Sequence, residues 1–389
     1  MNSKERVHKV LRHQEPDRVP YDLGATTVTS ITKNAYKSAM KYKNLSADYQ
    51  KMEIDPVQQI VTPIEANLVK LKVDTRRIGA LRIPDYPVRK RLNGRIETVT
   101  DFYGCDWLWN PEKDFYFNQM NYPLEEYDTL SECVNKLYHP DWDDFVAILR
   151  RDLSNQIKAA DGYCCVADRH TAGLTENSLR VRGHEKWYMD SIVDPEGVES
   201  LIEIFMQDKI LYWDAVIDWA IENKWQDQID VISECDDLGS QTSTILHPDT
   251  LRTMVIPYFK KLYAHLKKRL PDVKIFMHSC GAIREIIPDF IDAGVDILNP
   301  VQYTASEMDL AGLKKDFGKD ITFWGGGIDT QQTLNNGTPQ EVRDKVKEII
   351  DIMAPGGGFV FTPVHNIQDD VSPENFWAMW ETLQEYGKY

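Results

Sequence analysis

The side chains best suited to chemistry gather around Phe276-Met277-His278-Ser279-Cys280-Gly281. An imidazole and a thiol two residues apart are both good transition-metal ligands. They follow Val273-Lys274-Ile275-Phe276-Met277, an apolar run that reads as a buried strand. The pair therefore stands where a strand opens into a loop. Two ligands do not make a zinc site, which takes four, or three and an open position when the metal is catalytic. His365, in Phe361-Thr362-Pro363-Val364-His365-Asn366-Ile367, offers a third. Glu234 or Asp237, in Glu234-Cys235-Asp236-Asp237, offers a fourth, or a group that orients a ligand or donates a proton. Three carboxylates that close raise at least one pKa unless a cation is near. A plainer reading stays open on spacing alone: polar lining for a substrate, a packed thiol and a solvated acidic loop.

Such residues act together only if the fold brings them together. Strand-like segments recur near residues 20, 74, 165, 231, 276, 297, 323 and 360, and helical periodicity separates nearly all of them. Eight alternating units in 389 residues favour a single α/β domain over 1–389, a (β/α)8 TIM barrel, above an open doubly wound sheet. No GxGxxG follows the first strand, which counts against dinucleotide binding. In a barrel the C-terminal strand ends form the working face. Asp22, Asp168, His170, Asn299 and Gln302 would then line a substrate site there, and loops of the fifth and eighth strands could share a metal across the mouth. Residues 79–123 read as a β-hairpin insertion after the second strand, turning at Asn93-Gly94 and rich in aromatic residues. With Trp187, that cluster is either core or the wall of a site for a planar ligand, and Trp187 is counted among the candidate substrate-binding residues. Gly325-Gly326-Gly327 and Gly356-Gly357-Gly358 lack a following Lys-Ser/Thr and read as tight turns, not phosphate cradles.

The formal charge of −16 argues against nucleic acid or an anionic membrane as the main partner. No apolar run approaches the length of a membrane span, and Met1-Asn2-Ser3-Lys4-Glu5-Arg6 leads into an amphipathic helix, with Ser3 as its N-cap, and not a signal peptide. Six Cys without a CxxC do not suggest a disulfide framework. A cytoplasmic protein is expected.

Four segments carry a more specific likeness: His278-Ser279-Cys280-Gly281, Ala293-Gly294-Val295-Asp296-Ile297-Leu298-Asn299-Pro300, Phe323-Trp324-Gly325-Gly326 and Pro373-Glu374-Asn375. With Arg18-Val19-Pro20, they make the chain resemble the uroporphyrinogen decarboxylase superfamily, whose fold is a (β/α)8 barrel. The decarboxylase branch carries an arginine-rich stretch after the first strand; the matching stretch here, 25–33, has no Arg. The corrinoid-dependent methyltransferase branch is the better likeness. It implies Zn2+ on His278, Cys280 and a residue ten positions before the Asn of Pro-Glu-Asn, which is His365, where the branch has Cys. One thiolate with two neutral imidazoles leaves the metal more electrophilic than two thiolates do, which suits oxygen activation more than thiol activation. The resemblance thus implies transfer of a methyl group from a methylated small molecule, a methoxyaromatic by preference, to Co(I) of a separate corrinoid (cobalamin) protein. Glu234 or Asp237 would be the proton donor. A methylcobalamin:thiol methyltransferase, a metal-free decarboxylase or lyase, and a non-enzymatic corrinoid-binding protein are the alternatives.

Overall fold

The computed structural model describes residues 1–55, 57–79, 90–92, 96–110, 112–138 and 142–389. Seven parallel strands lie side by side: Thr75–Ile78, Cys164–Asp168, Val231–Cys235, Lys274–His278, Ile297–Asn299, Thr322–Trp324 and Phe359–Val360. Residues 19–22 close the ring between the last and the first of these. Tyr21 bridges Phe361 in parallel, Phe361 N–H donates to Pro20 O, and Asp74 N–H donates to Tyr21 O. The result is a TIM-barrel-like fold with eight staves at the eight expected positions.

Side chains alternate between the inside of the barrel and its helical coat, as the period of a strand requires. Val166, Val231, Phe276, Ile297, Trp324 and Val360 pack together inside, joined by Val7 and Val10 of the first helix, Ser3–Val10. That helix sits at the N-terminal end of the strands, where Lys4 and His8 reach Asp230. Its cap is Asn2, in a reciprocal box with Glu5, and not Ser3. Met277, Leu298, Phe323 and Phe359 face the other way, into the helices. Polar residues in phase with the inner set, Ser233, His278 and Asn299, emerge at the opposite end.

Two antiparallel sheets are added to the barrel. The sequence reading expected one hairpin over 79–123. Instead Lys90–Leu92, Ile96–Thr100, Asp106–Trp109 and Asn118–Gln119 form a four-stranded meander. Leu92 pairs with Ile96, while the Asn93-Gly94 turn lies outside the described residues. A second sheet, of Ile31–Thr32, Tyr49–Asp55 and Ile60–Pro63, was not expected. Its strands are short and irregularly paired, so they carry little period-2 signal. No helix among the described residues is long and apolar enough to cross a membrane.

Candidate metal centre and the cleft around it

His278 ends the fifth stave, and its ring is buried in the barrel mouth. Its Nδ1 lies 2.5 Å from Asn299 Oδ1, and Asn299 Nδ2 lies 2.5 Å from the Trp324 carbonyl. The second contact fixes the amide, because only the NH2 group can donate to a carbonyl. Asn299 Oδ1 must then accept, so Nδ1 of His278 carries the proton and Nε2 keeps its lone pair. Nε2 lies 3.5 Å from Cys280 Sγ and 3.6 Å from Asp237 Oδ1.

Cys280 is held mainly through its backbone. Its N–H donates to Asp237 Oδ1 at 2.8 Å, and the next N–H, of Gly281, donates to Gln302 Oε1 at 2.8 Å. Gly281 has φ of +89°, and a Cβ there would fall 2.5 Å from both Gly239 C and Ser240 O. Only glycine lets the sulfur-bearing loop close so tightly on the 239–240 backbone. His365 arrives from beyond the eighth stave, its ring centroid 5.6 Å from that of His278.

One ligand atom each from His278, Cys280 and His365 lies within 4.8 Å of the others. Zinc bonds of about 2.0–2.3 Å in a tetrahedral site space their donors by about 3.5 Å, so the observed cluster fits a metal with small side-chain adjustments. Burial, with Arg169 nearby, lowers His278 to about 4; burial, with His278 nearby, lowers His365 to about 4. Both imidazoles are thus neutral near pH 7, the form that binds metal. Burial, together with Asp237 and Glu176, pushes the Cys280 thiol well above its ordinary value. A cation bound there would offset that rise and release the thiol proton.

His278 and His365 line part of a cleft of about 900 Å³, counted to its open mouth. Arg169, His170, Glu176, Cys235 and Asp237 form the middle of its wall. Thr27, Asp55, Arg77, Asp101, Phe102, Tyr103 and Arg180 line it too, from the first loop, the second stave, the added sheets with their connections, and a helix. Burial and Glu176 push Asp237 up to about 6, although 42% of its side chain meets the cleft, where solvent tempers the effect.

The other expected site residues fall elsewhere. Glu234 is out of phase with the inner set and faces the helices. Lys209 Nζ lies 2.6 Å from its Oε2, and Trp213 Nε1 lies 2.5 Å from its Oε1. Lys209 and Trp213 are four apart on helix Pro195–Glu222, hence on one face. Glu234 is therefore corrected from a proton donor or ligand to a buried ion-pair partner. Trp187 is also corrected. It is fully buried on helix His184–Val193, edge-on to Tyr188, and does not line the cleft. Asp22 is held by Thr75, Trp324 and the Ala25 N–H, and burial pushes it up to about 6. Asp168 accepts from Arg77 and the Thr27 N–H; neither carboxylate lines the cleft. Asn299 and Gln302 hold the ligand loops and do not face a substrate, whereas His170 does line the cleft. Asp236 accepts from Thr175 and Glu176 N–H, capping helix Leu174–Arg182, and burial pushes it up to about 7.

A family model described as uroporphyrinogen decarboxylase (URO-D) matches residues 172–386, more than half of the chain. The chain belongs to the uroporphyrinogen decarboxylase family. Relatives in that family include uroporphyrinogen decarboxylases of Chloroherpeton thalassium, 24% identical over 166 residues, and Chlorobium phaeobacteroides, 24% identical over 163. These alignments cover 42% and 41% of this chain, and 45% and 44% of the relatives. The fold is that of a methyltransferase from Methanosarcina mazei, with a TM-score of 0.64 over 99% of both chains at 16% identity. The family match begins at residue 172, so the ligands and Asp237 fall within it and Thr27, Arg77, Phe102 and Arg169 outside it.

Proposed function

We propose that this family member is a zinc-dependent methyltransferase. It would move a methyl group from a methylated small molecule, a methoxyaromatic by preference, to the Co(I) of a separate corrinoid protein. The observation that carries this reading is the donor set: one sulfur and two nitrogens from His278, Cys280 and His365, gathered within 4.8 Å at the barrel mouth. Decarboxylation without a metal gives no reason for Asn299 to aim a neutral Nε2 at a thiol.

Zinc, when bound, supplies Lewis acidity towards the heteroatom that carries the methyl group, so that this atom becomes a better leaving group. The chain supplies the rest. Asn299 orients His278. Asp237 and Gln302 hold the Cys280 loop. Asp237, protonated below about pH 6, lies in the cleft 3.6 Å from His278 Nε2 and can hand a proton to a departing oxygen. Phe102 and His170 present ring surface to a planar substrate. The methyl acceptor reaches the site from the open side of the cleft, which requires a partner protein docked over the mouth.

Metal analysis of the purified chain should give about one zinc per chain. A methoxyarene with cob(I)alamin should then give methylcob(III)alamin, read by its absorbance. A metal-free chain that is fully active would sink the reading.

A further inference from the structure

This protein satisfies the buried guanidinium groups of Arg6, Arg182 and Arg76 with care. Arg6 donates to Asp17, Asp74 and the Met1 carbonyl; Arg182 to Asp190 and three carbonyls; Arg76 to Glu65 and two carbonyls. Arg169 differs. It is 8% exposed and lines the cleft, yet among the described residues its hydrogen bonding is a single 3.5 Å contact from Nη1 to Ser233 Oγ. The nearest carboxylate oxygen, Asp168 Oδ1, lies 3.6 Å away. A guanidinium has five N–H donors, and leaving them unmet in a buried site is costly.

The cleft's own acids are engaged elsewhere. Asp101 accepts from Tyr103, Cys105 and Trp107; Asp55 from Val57 and Gln58. Glu176 accepts from the Gly173 N–H and Cys235, and pairs with Arg180 at 3.5 Å. Next in sequence, His170 is 4% exposed, lines the same cleft, and has no partner among the described residues for either ring nitrogen. Phe102, Trp142, Phe145 and Tyr212 surround its ring at centroid distances of 4.5–5.9 Å. An under-bonded guanidinium beside an aromatic wall matches a planar acid, because a carboxylate accepts two parallel N–H bonds from one fork.

We infer that Arg169 is the receptor for a carboxylate on the small-molecule substrate, which makes the substrate an aromatic acid. The inference deepens the methyltransferase reading and rests on it for the word substrate. Its test needs no methyl transfer. Benzoate and benzamide are titrated calorimetrically into the full chain, both zinc-loaded and metal-stripped, because zinc alone could favour a carboxylate. Benzoate should bind at least tenfold tighter than benzamide in both forms. Arg169→Met should abolish that preference while benzamide binding stays within about twofold, and Arg169→Lys should restore only part of it; thermal melts check that both variants fold. A preference that survives Arg169→Met, disappears with the metal, or is absent from the wild type overturns the inference. So does methyl transfer from methoxybenzene as fast as from methoxybenzoate, a result that would leave the methyltransferase reading standing.

Discussion

Two parts of the cleft lining, a metal end and an arginine end, are built to different rules, although Arg169 lies near enough to His278 to disfavour its protonation. At the metal end His278 has Asn299 behind it, and the Cys280 loop is pinned through Asp237, Gln302 and a glycine contact. At the arginine end Arg169 has one long hydrogen bond and His170 has none. The first end comes from the stretch matched by the family model, and the second largely from residues before it. A site whose ligands are already oriented loses little on binding its metal, whereas a site with open donors is completed by what it binds. On the proposed reading, reaction chemistry belongs to the fixed end and substrate choice to the other.

The largest expected effect tests the fixed end. Cys280→Ala should lower zinc from about one per chain to under a tenth and cut methyl transfer at least ~1,000-fold, because the metal would lose its one thiolate; emission spectroscopy and the cobalamin assay read the two. Lys209→Met tests whether Glu234 stands apart from both ends. An unpaired buried carboxylate should cost about 3 kcal/mol or more in urea unfolding, while zinc content per folded chain stays unchanged. Falling zinc content would return Glu234 to the site. Asn299→Ala should leave the fold intact but weaken zinc binding 10- to 100-fold in a chelator competition, as loss of a ligand's supporting partner usually does. An unchanged affinity would mean that the metal end is not pre-oriented.

The smallest effect concerns pH. His278 is lowered to about 4 from an unfolded value near 6.5, so the folded chain disfavours its charged form. The associated stability is complete above about pH 6.5 and is lost as pH falls towards 4. In metal-stripped protein, going from pH 7.5 to 5 should cost the wild type about 2 kcal/mol more than His278→Gln, measured by urea unfolding. A parallel pH dependence in the two would show that the ring is not sealed from water.

Much of the fold was legible, because buried parallel strands separated by amphipathic helices leave a repeating signature. His278 and Cys280 were legible from their place at a strand end, and His365 from its place just beyond the eighth strand, to which the likeness to the family added the count back from Pro-Glu-Asn. The phase of Glu234 was not. In Val231-Ile232-Ser233-Glu234 the apolar residues do not alternate, so nothing in the run says which face is inner. Trp187 was misread because an aromatic residue in a helix looks alike whether it faces a ligand or the core. The stretch 25–33 lacks Arg, yet Arg77, Arg169 and Arg180 line the cleft from other elements. Cations brought together by tertiary structure leave no local pattern.

The amide of Asn299 has a consequence for the traffic of protons. Its NH2 is committed to the Trp324 carbonyl, so the amide cannot flip to offer His278 Nδ1 a donor in place of an acceptor. His278 is thereby denied its second tautomer, and a ring confined to one tautomer can hold a metal but cannot serve as a relay. Each proton taken up by a departing group must come by another route, from Asp237 or from water in the cleft.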